Sequence, residues 1–95
     1  MYNSFLKFEL REMQAYIFIN TEPGKLWKVA DVALKINGVK MAHAVTGEFD
    51  VIVFAEFPKI EDLKNAIDKL HSLDGVIRTH TAIVMPFRLE FEEQP

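Results

Sequence analysis

The apolar positions of this chain occur twice in one pattern. Moving along by 37 positions lays the second half on the first, with Gly38-Val39 on Gly75-Val76 and His43 on His80. Upstream, Leu26, Val29, Ala30, Ala33 and Ile36 fall on Leu63, Ala66, Ile67, Leu70 and Leu73. Those offsets trace one face of an α-helix, so each half carries an amphipathic helix. The helices are expected over about residues 24–36 and 59–73. Strands precede them at 15–20 and 50–57 and follow them at 39–46 and 76–86. Pro23 suits the first turn of the first helix, with Thr21 or Glu22 as its cap. Asn37-Gly38 and Asp74-Gly75 supply the left-handed residues on which helices end. Gly47-Glu48 reads as a tight hairpin between the halves.

The resulting order is βαβ–βαβ. It predicts an α+β, ferredoxin-like domain with a four-stranded antiparallel sheet, strand order 4-1-3-2, and two helices on one face. Such a sheet normally alternates apolar and polar residues, because helices cover only one side. Here Tyr16-Ile17-Phe18-Ile19 and Val51-Ile52-Val53-Phe54-Ala55 are apolar on both faces. The uncovered face predicts a dimer formed sheet to sheet, a dimeric α+β barrel. Hiding ~500 Å² per subunit at ~25 cal/mol per Å² supplies a driving force of order 10 kcal/mol before association costs.

Composition narrows the function classes. The 95 residues suffice for one domain, and 49% apolar content excludes a disordered chain. No apolar run approaches the ~20 residues of a membrane helix, and residues 1–10 lack a secretory signal's apolar stretch, so cytoplasmic residence is expected. The absence of Cys excludes disulfides and thiol chemistry. Eleven basic residues are interspersed among fourteen acidic ones, for a net charge of −3. That balance argues against direct binding of duplex DNA, which takes a basic stripe.

Val45-Thr46-Gly47-Glu48-Phe49-Asp50 and Gly75-Val76-Ile77-Arg78-Thr79-His80-Thr81, together with Asn37-Gly38-Val39, carry a resemblance. From about Gln14 to Met85 the chain resembles the effector-binding domain of the Lrp/AsnC transcription regulators, the RAM domain. The resemblance implies dimers joined through the sheet and rings of four or five dimers, hence octamers or decamers. It further implies a free amino acid bound where dimers meet, and the possibility of mixed assemblies with full-length Lrp/AsnC regulators. Carried over by position, it assigns ligand binding to Gly47, Asp50, Thr79 and Thr81. Glycine lets a backbone N–H approach a carboxylate, and an aspartate can accept bonds from an α-ammonium. Structural roles for Gly47 in the hairpin and for Asp50 as a backbone cap remain open alternatives. The family's helix-turn-helix has no counterpart in the few residues before Gln14, so regulation of DNA is expected to be indirect. Residues 1–13 then form an extension, 14–86 the effector domain and 87–95 an acidic tail.

Other residues carry less. His43 and His80 fall on opposite edge strands and cannot share an ion within a subunit, and His71 is expected in solvent on the second helix. No metal and no cofactor is expected. Trp27 is expected in the core. The Gly47–Phe54 stretch lacks the basic residue of an RNA-binding strand. The fold also hosts dimeric barrel oxygenases and isomerases, in which Tyr16, His43 or His80 would be the acid–base groups. No nucleophile–base pair is legible, and a sensor is the expected function, with no catalysis.

Overall fold

The computed structural model describes residues 12–85. The expected extension up to residue 11, Pro86 and the acidic tail lie outside the described residues. Six elements follow in the expected order: β1 (Met13–Thr21), α1 (Leu26–Ala33), β2 (Val39–Ala44), β3 (Val51–Phe57), α2 (Ile60–His71) and β4 (Val76–Ile83). The four strands form one antiparallel sheet in the order β2-β3-β1-β4, the predicted arrangement read from its other edge.

Alternation along the central strands separates the two faces. Ala15, Ile17 and Ile19 of β1 and Val51, Val53, Ala55 and Phe57 of β3 are buried beneath the helices. They meet Val29, Ala30 and Ala33 of α1 and Leu63, Ala66 and Leu70 of α2 in one core. These helix residues are the ones marked by the repeat, so the periodic positions of the sequence are the packed positions of the fold.

The repeat extends to finer geometry. Pairing skips Lys40 between Val39↔Ala55 and Met41↔Phe54, and skips Ile77 between Thr21↔Val76 and Asn20↔Arg78. Lys40 and Ile77 are themselves 37 apart, so each edge strand bulges at the same point. Glu56 N–H donates to Gly38 O at 2.9 Å, and Glu22 N–H donates to Gly75 O at 2.8 Å.

Four local expectations are corrected. Pro23 does not enter α1. Lys25 N–H donates to Glu22 O at 3.0 Å, enclosing Pro23 and a Gly24 with φ of +83°. This is a type II turn, which favours Pro then Gly at its centre, and the helix begins after it. Neither Thr21 nor Glu22 caps α1; Lys25 occupies the N-cap position and makes no side-chain capping bond. The link between halves is wider than a two-residue hairpin: Val45 N–H donates to Asp50 O at 2.9 Å, closing a six-residue loop, 45–50. Trp27 is outside the core, 70% exposed. It lies beside Leu26 and two residues before Val29, off the buried stripe, because successive helix positions are turned by about 100°.

Candidate functional site

The face of the sheet away from the helices is the first candidate surface. Cross-strand partners Tyr16↔Phe54 and Phe18↔Ile52 occupy its centre, with Met41 and His43 on the β2 side and His80 and Ala82 on the β4 side. The Tyr16 and Phe54 rings lie 5.0 Å apart, and Phe49 folds from the 45–50 loop onto Phe18 at 5.2 Å and His80 at 5.7 Å. Polar pairs mark the periphery. Gln14 Nε2 donates to Glu56 Oε2 at 2.9 Å, Arg78 Nε donates to Asn20 Oδ1 at 3.1 Å, and Asn20 Nδ2 donates to Glu48 O at 2.8 Å. An apolar centre with a polar rim is the anatomy of a protein interface.

The four residues assigned to ligand binding lie in the 45–50 loop and on β4. Gly47 sits in the 45–50 loop at φ +113°, with open space where a side chain would project. Asp50 is held by the backbone: its N–H donates to Ile19 O at 2.9 Å, and its Oδ2 accepts the Thr21 N–H at 2.8 Å. Thr79 lies across β1 from Val51, since Ile19 pairs with both. Thr81 is opposite Ile17 and exposed. The Thr79 hydroxyl is 2.8 Å from His71 Nε2. His71 is therefore exposed as expected but tied to β4, which sequence spacing alone did not reveal.

A feature the sequence reading missed lies at the other end of the sheet. A groove of about 490 Å³ opens at the Asn37-Gly38 turn, between Lys40 of the β2 bulge and the α2 residues Asp62, Asn65 and Lys69. The repeat contained a signal for it, in the charged residues that differ between the halves. His43 and His80 are on the two edge strands, as expected. Among the described residues, no three His, Asp or Glu side chains gather as a metal site would need.

Among the described residues, an exposed ion pair joins the start of the first helix to the turn before the last strand. Lys25 Nζ lies 2.8 Å from Asp74 Oδ2, and Lys28 Nζ lies 3.6 Å from the same oxygen. The hydrogen bond from Lys25, then the charges of Lys25 and Lys28, hold the Asp74 carboxyl below its ordinary range. The same bond and charge raise the Lys25 ammonium.

Comparison with known proteins agrees with this architecture. The family described as Lrp/AsnC ligand binding domain matches residues 14–90. The HTH-type transcriptional regulator FL11 of Pyrococcus furiosus is 33% identical over 81 residues, covering 85% of this chain and 54% of FL11. The chain thus spans about half the length of the curated relatives it matches. The hypothetical protein PHS023 from Pyrococcus horikoshii is 32% identical with a TM-score of 0.72, over 77% of this chain and 89% of that one. The regulator NMB0573 of Neisseria meningitidis, solved as a complex with L-Met, shares the fold at a TM-score of 0.71 and 21% identity, over 86% of this chain and 55% of its own. With the repeat, the sheet order and the sequence match in agreement, the chain belongs to the Lrp/AsnC ligand-binding domain family.

Proposed function

We propose that this domain is a non-catalytic amino-acid sensor and assembly module, pairing sheet to sheet and influencing transcription through DNA-binding regulators that share its fold. The observation that carries the reading is the apolar open face, with Tyr16, Phe18, Ile52 and Phe54 at its centre and hydrogen-bonded polar pairs at its rim. A patch of aromatic and branched side chains of this extent favours a partner, and a second copy offers the same patch under two-fold symmetry. Two regulators of the same fold were solved with L-methionine, NMB0573 and the feast or famine protein Rv3291c. That supports a free amino acid as effector.

The effector site is assigned to Gly47, Asp50, Thr79 and Thr81, at the contact between dimers of an octamer or decamer. Gly47 and Thr81 are exposed and Asp50 and Thr79 half-buried in one chain, which leaves room for further walls from neighbours. Asp50 has a second oxygen beyond the one engaged by Thr21 N–H and could receive an α-ammonium. The volume between sheet and helices is occupied by Ile17, Ile19, Val29, Val53 and Leu70, where a barrel enzyme would hold its substrate.

Two measurements test the reading. Sedimentation equilibrium at micromolar protein is expected to give a dimer or a multiple of it, and a clean 11.0 kDa species would refute sheet pairing. A thermal-shift screen of the twenty amino acids at millimolar concentration is expected to find at least one that raises the melting temperature. A ligand at a hundred times its Kd adds ~2.7 kcal/mol to a folded state that alone binds it. A flat screen would leave assembly without sensing.

A further inference from the structure

An α-amino acid carries two opposite charges, and a site that holds it by both ends needs a partner for each. Gly47, Asp50, Thr79 and Thr81 include an acid for the ammonium but no cation for the carboxylate. A cation stands next to the 45–50 loop. Arg78 of β4 is paired with Asn20 of β1, and its Nε donates to Asn20 Oδ1 at 3.1 Å. Asn20 Nδ2 donates in turn to Glu48 O, within the loop, at 2.8 Å. The asparagine amide thus ties the guanidinium to the loop through two directional bonds. Of the five N–H donors of an arginine, the one on Nε is used, and those on the two terminal nitrogens form a fork suited to a carboxylate.

Asp50 reaches the same place from the other side. The sheet order sets β1 between β3 and β4, and Asp50 immediately precedes β3. Its Oδ2 accepts the N–H of Thr21, the residue after Asn20, at 2.8 Å. Arg78 and Asp50 therefore converge on two successive residues of β1 from its two flanks. Neighbouring strands lie ~4.8 Å apart, so the two backbones are separated by about 10 Å and the inward-turned side chains by less. Among the described residues, Arg78 forms no ion pair with Asp50 or with any other carboxylate. In an α-amino acid the ammonium nitrogen is ~2.5 Å from the carboxylate carbon. With a charge-assisted hydrogen bond of ~2.8 Å at each end, such a zwitterion spans a gap of that size.

We propose that Arg78 is the carboxylate anchor of the effector site, with Asn20 as the residue that positions it. The ligand class follows: an α-amino acid with both its α-ammonium and its α-carboxylate unmodified, the first on Asp50 and the second on Arg78. The inference rests on the effector reading above for Gly47 and Asp50 and adds to it a residue and a chemical requirement. Thr79 and Thr81 face the helix side of β4, as their partners Ile19 and Ile17 do, and take no part in these two contacts. Arg78 is exposed, so its replacement removes a charge without opening the core.

The test titrates the twenty amino acids singly into the isotopically labelled full chain and follows backbone amide resonances by NMR. The strongest binder is then compared with its methyl ester, which keeps the ammonium and loses the carboxylate charge. In the parent chain the ester is expected to bind at least about tenfold more weakly than the amino acid. Arg78→Gln should weaken the amino acid by a similar factor and leave the ester unchanged, because the ester has no charge to lose there. Arg78→Lys should recover part of the loss, and Asn20→Ala should weaken the amino acid more than the ester. All three variants should keep the spectrum of the folded domain. An amino acid bound equally well by the parent and by Arg78→Gln would overturn the proposal and leave the effector reading standing. So would an ester weakened by Arg78→Gln as much as the amino acid is. A parent chain that binds none of the twenty would overturn both readings.

Discussion

Three glycines with positive φ show how one backbone angle acquires different structural weight from its neighbours. At Gly38 a β-carbon would stand 2.4 Å from Phe57 Cε1 and 3.0 Å from Glu56 O, and the ring belongs to the core. At Gly75 the same atom would meet only the Lys25 stem, and at Gly47 nothing. Alanine at Gly47 is therefore expected to cost ~1 kcal/mol from backbone strain alone. Alanine at Gly38 should cost at least ~1 kcal/mol more, with Gly75 between, in urea unfolding midpoints. Asp50 also has two roles that one substitution can separate. Its Oδ2 accepts the Thr21 N–H, so Asp50→Ala removes both the cap and any charge offered to an effector. Asp50→Asn retains an acceptor for the amide. It should keep stability within ~1 kcal/mol of the parent yet lose the amino-acid-induced thermal shift. A shift that survives Asp50→Asn would remove this aspartate from the effector site.

The two helices are held by different means. α2 carries Glu61 and Asp62 in its first turn and Lys69 and His71 in its last, matching the charge distribution of its peptide dipoles. α1 has none of these and no side-chain cap. Its start is fixed instead by the Pro23-Gly24 turn and the Lys25–Asp74 pair. The depressed Asp74 carboxyl contributes stability present above the ordinary value of 3.8 and lost as pH falls through its lower folded value. The raised Lys25 ammonium contributes stability present below 10.5 and lost as pH climbs through its higher folded value. Asp74→Asn should thus lower the urea midpoint slightly at neutral pH, and the difference from the parent should vanish in acid. The pair is solvent-exposed, so added salt should shrink the effect as well. Within the core, Leu70→Ala is expected to cost ~2–5 kcal/mol, whereas Trp27→Ala, on the exposed side of α1, should stay within ~1 kcal/mol.

At the scale of the molecule the open sheet face decides behaviour. Its central pairs contribute little to the helix-side core, so a charge placed there tests association with limited damage to the fold. Phe54→Asp is expected to shift the sedimentation equilibrium from dimer to monomer, because burying an unpaired carboxylate at an apolar interface costs several kcal/mol. Circular dichroism should still report the native mixture of helix and strand. A dimer that survives Phe54→Asp would place the contact elsewhere, and the exposed side chains of Trp27 on α1 and Leu34 just after it would be the surface to examine.

The sequence by itself determined the element order, the sheet arrangement and the core, since helical and strand periods in two matched halves leave few compact solutions. Val29, Ala33, Ala66 and Leu70 stand in the repeat because they are the residues that pack. It also determined that the second sheet face is apolar, since Tyr16, Phe18, Ile52 and Phe54 alternate with core residues of the same character. Local signals misplaced what depends on distant partners. Pro23 fits a helix start or a type II turn equally well, and the choice followed from the docking of this segment on Gly75. Trp27 is apolar by type, yet its place is set by helix phase. The His71–Thr79 contact joins two elements whose separation no spacing encodes. The groove, too, is a product of tertiary structure. Asp62, Asn65 and Asn37 are unremarkable in sequence and line one hollow only because the fold brings α2 beside the Asn37-Gly38 turn. Periodicity encodes which face of an element is buried, while the chemistry of a surface hollow depends on which side chains folding brings together and which it leaves unfilled.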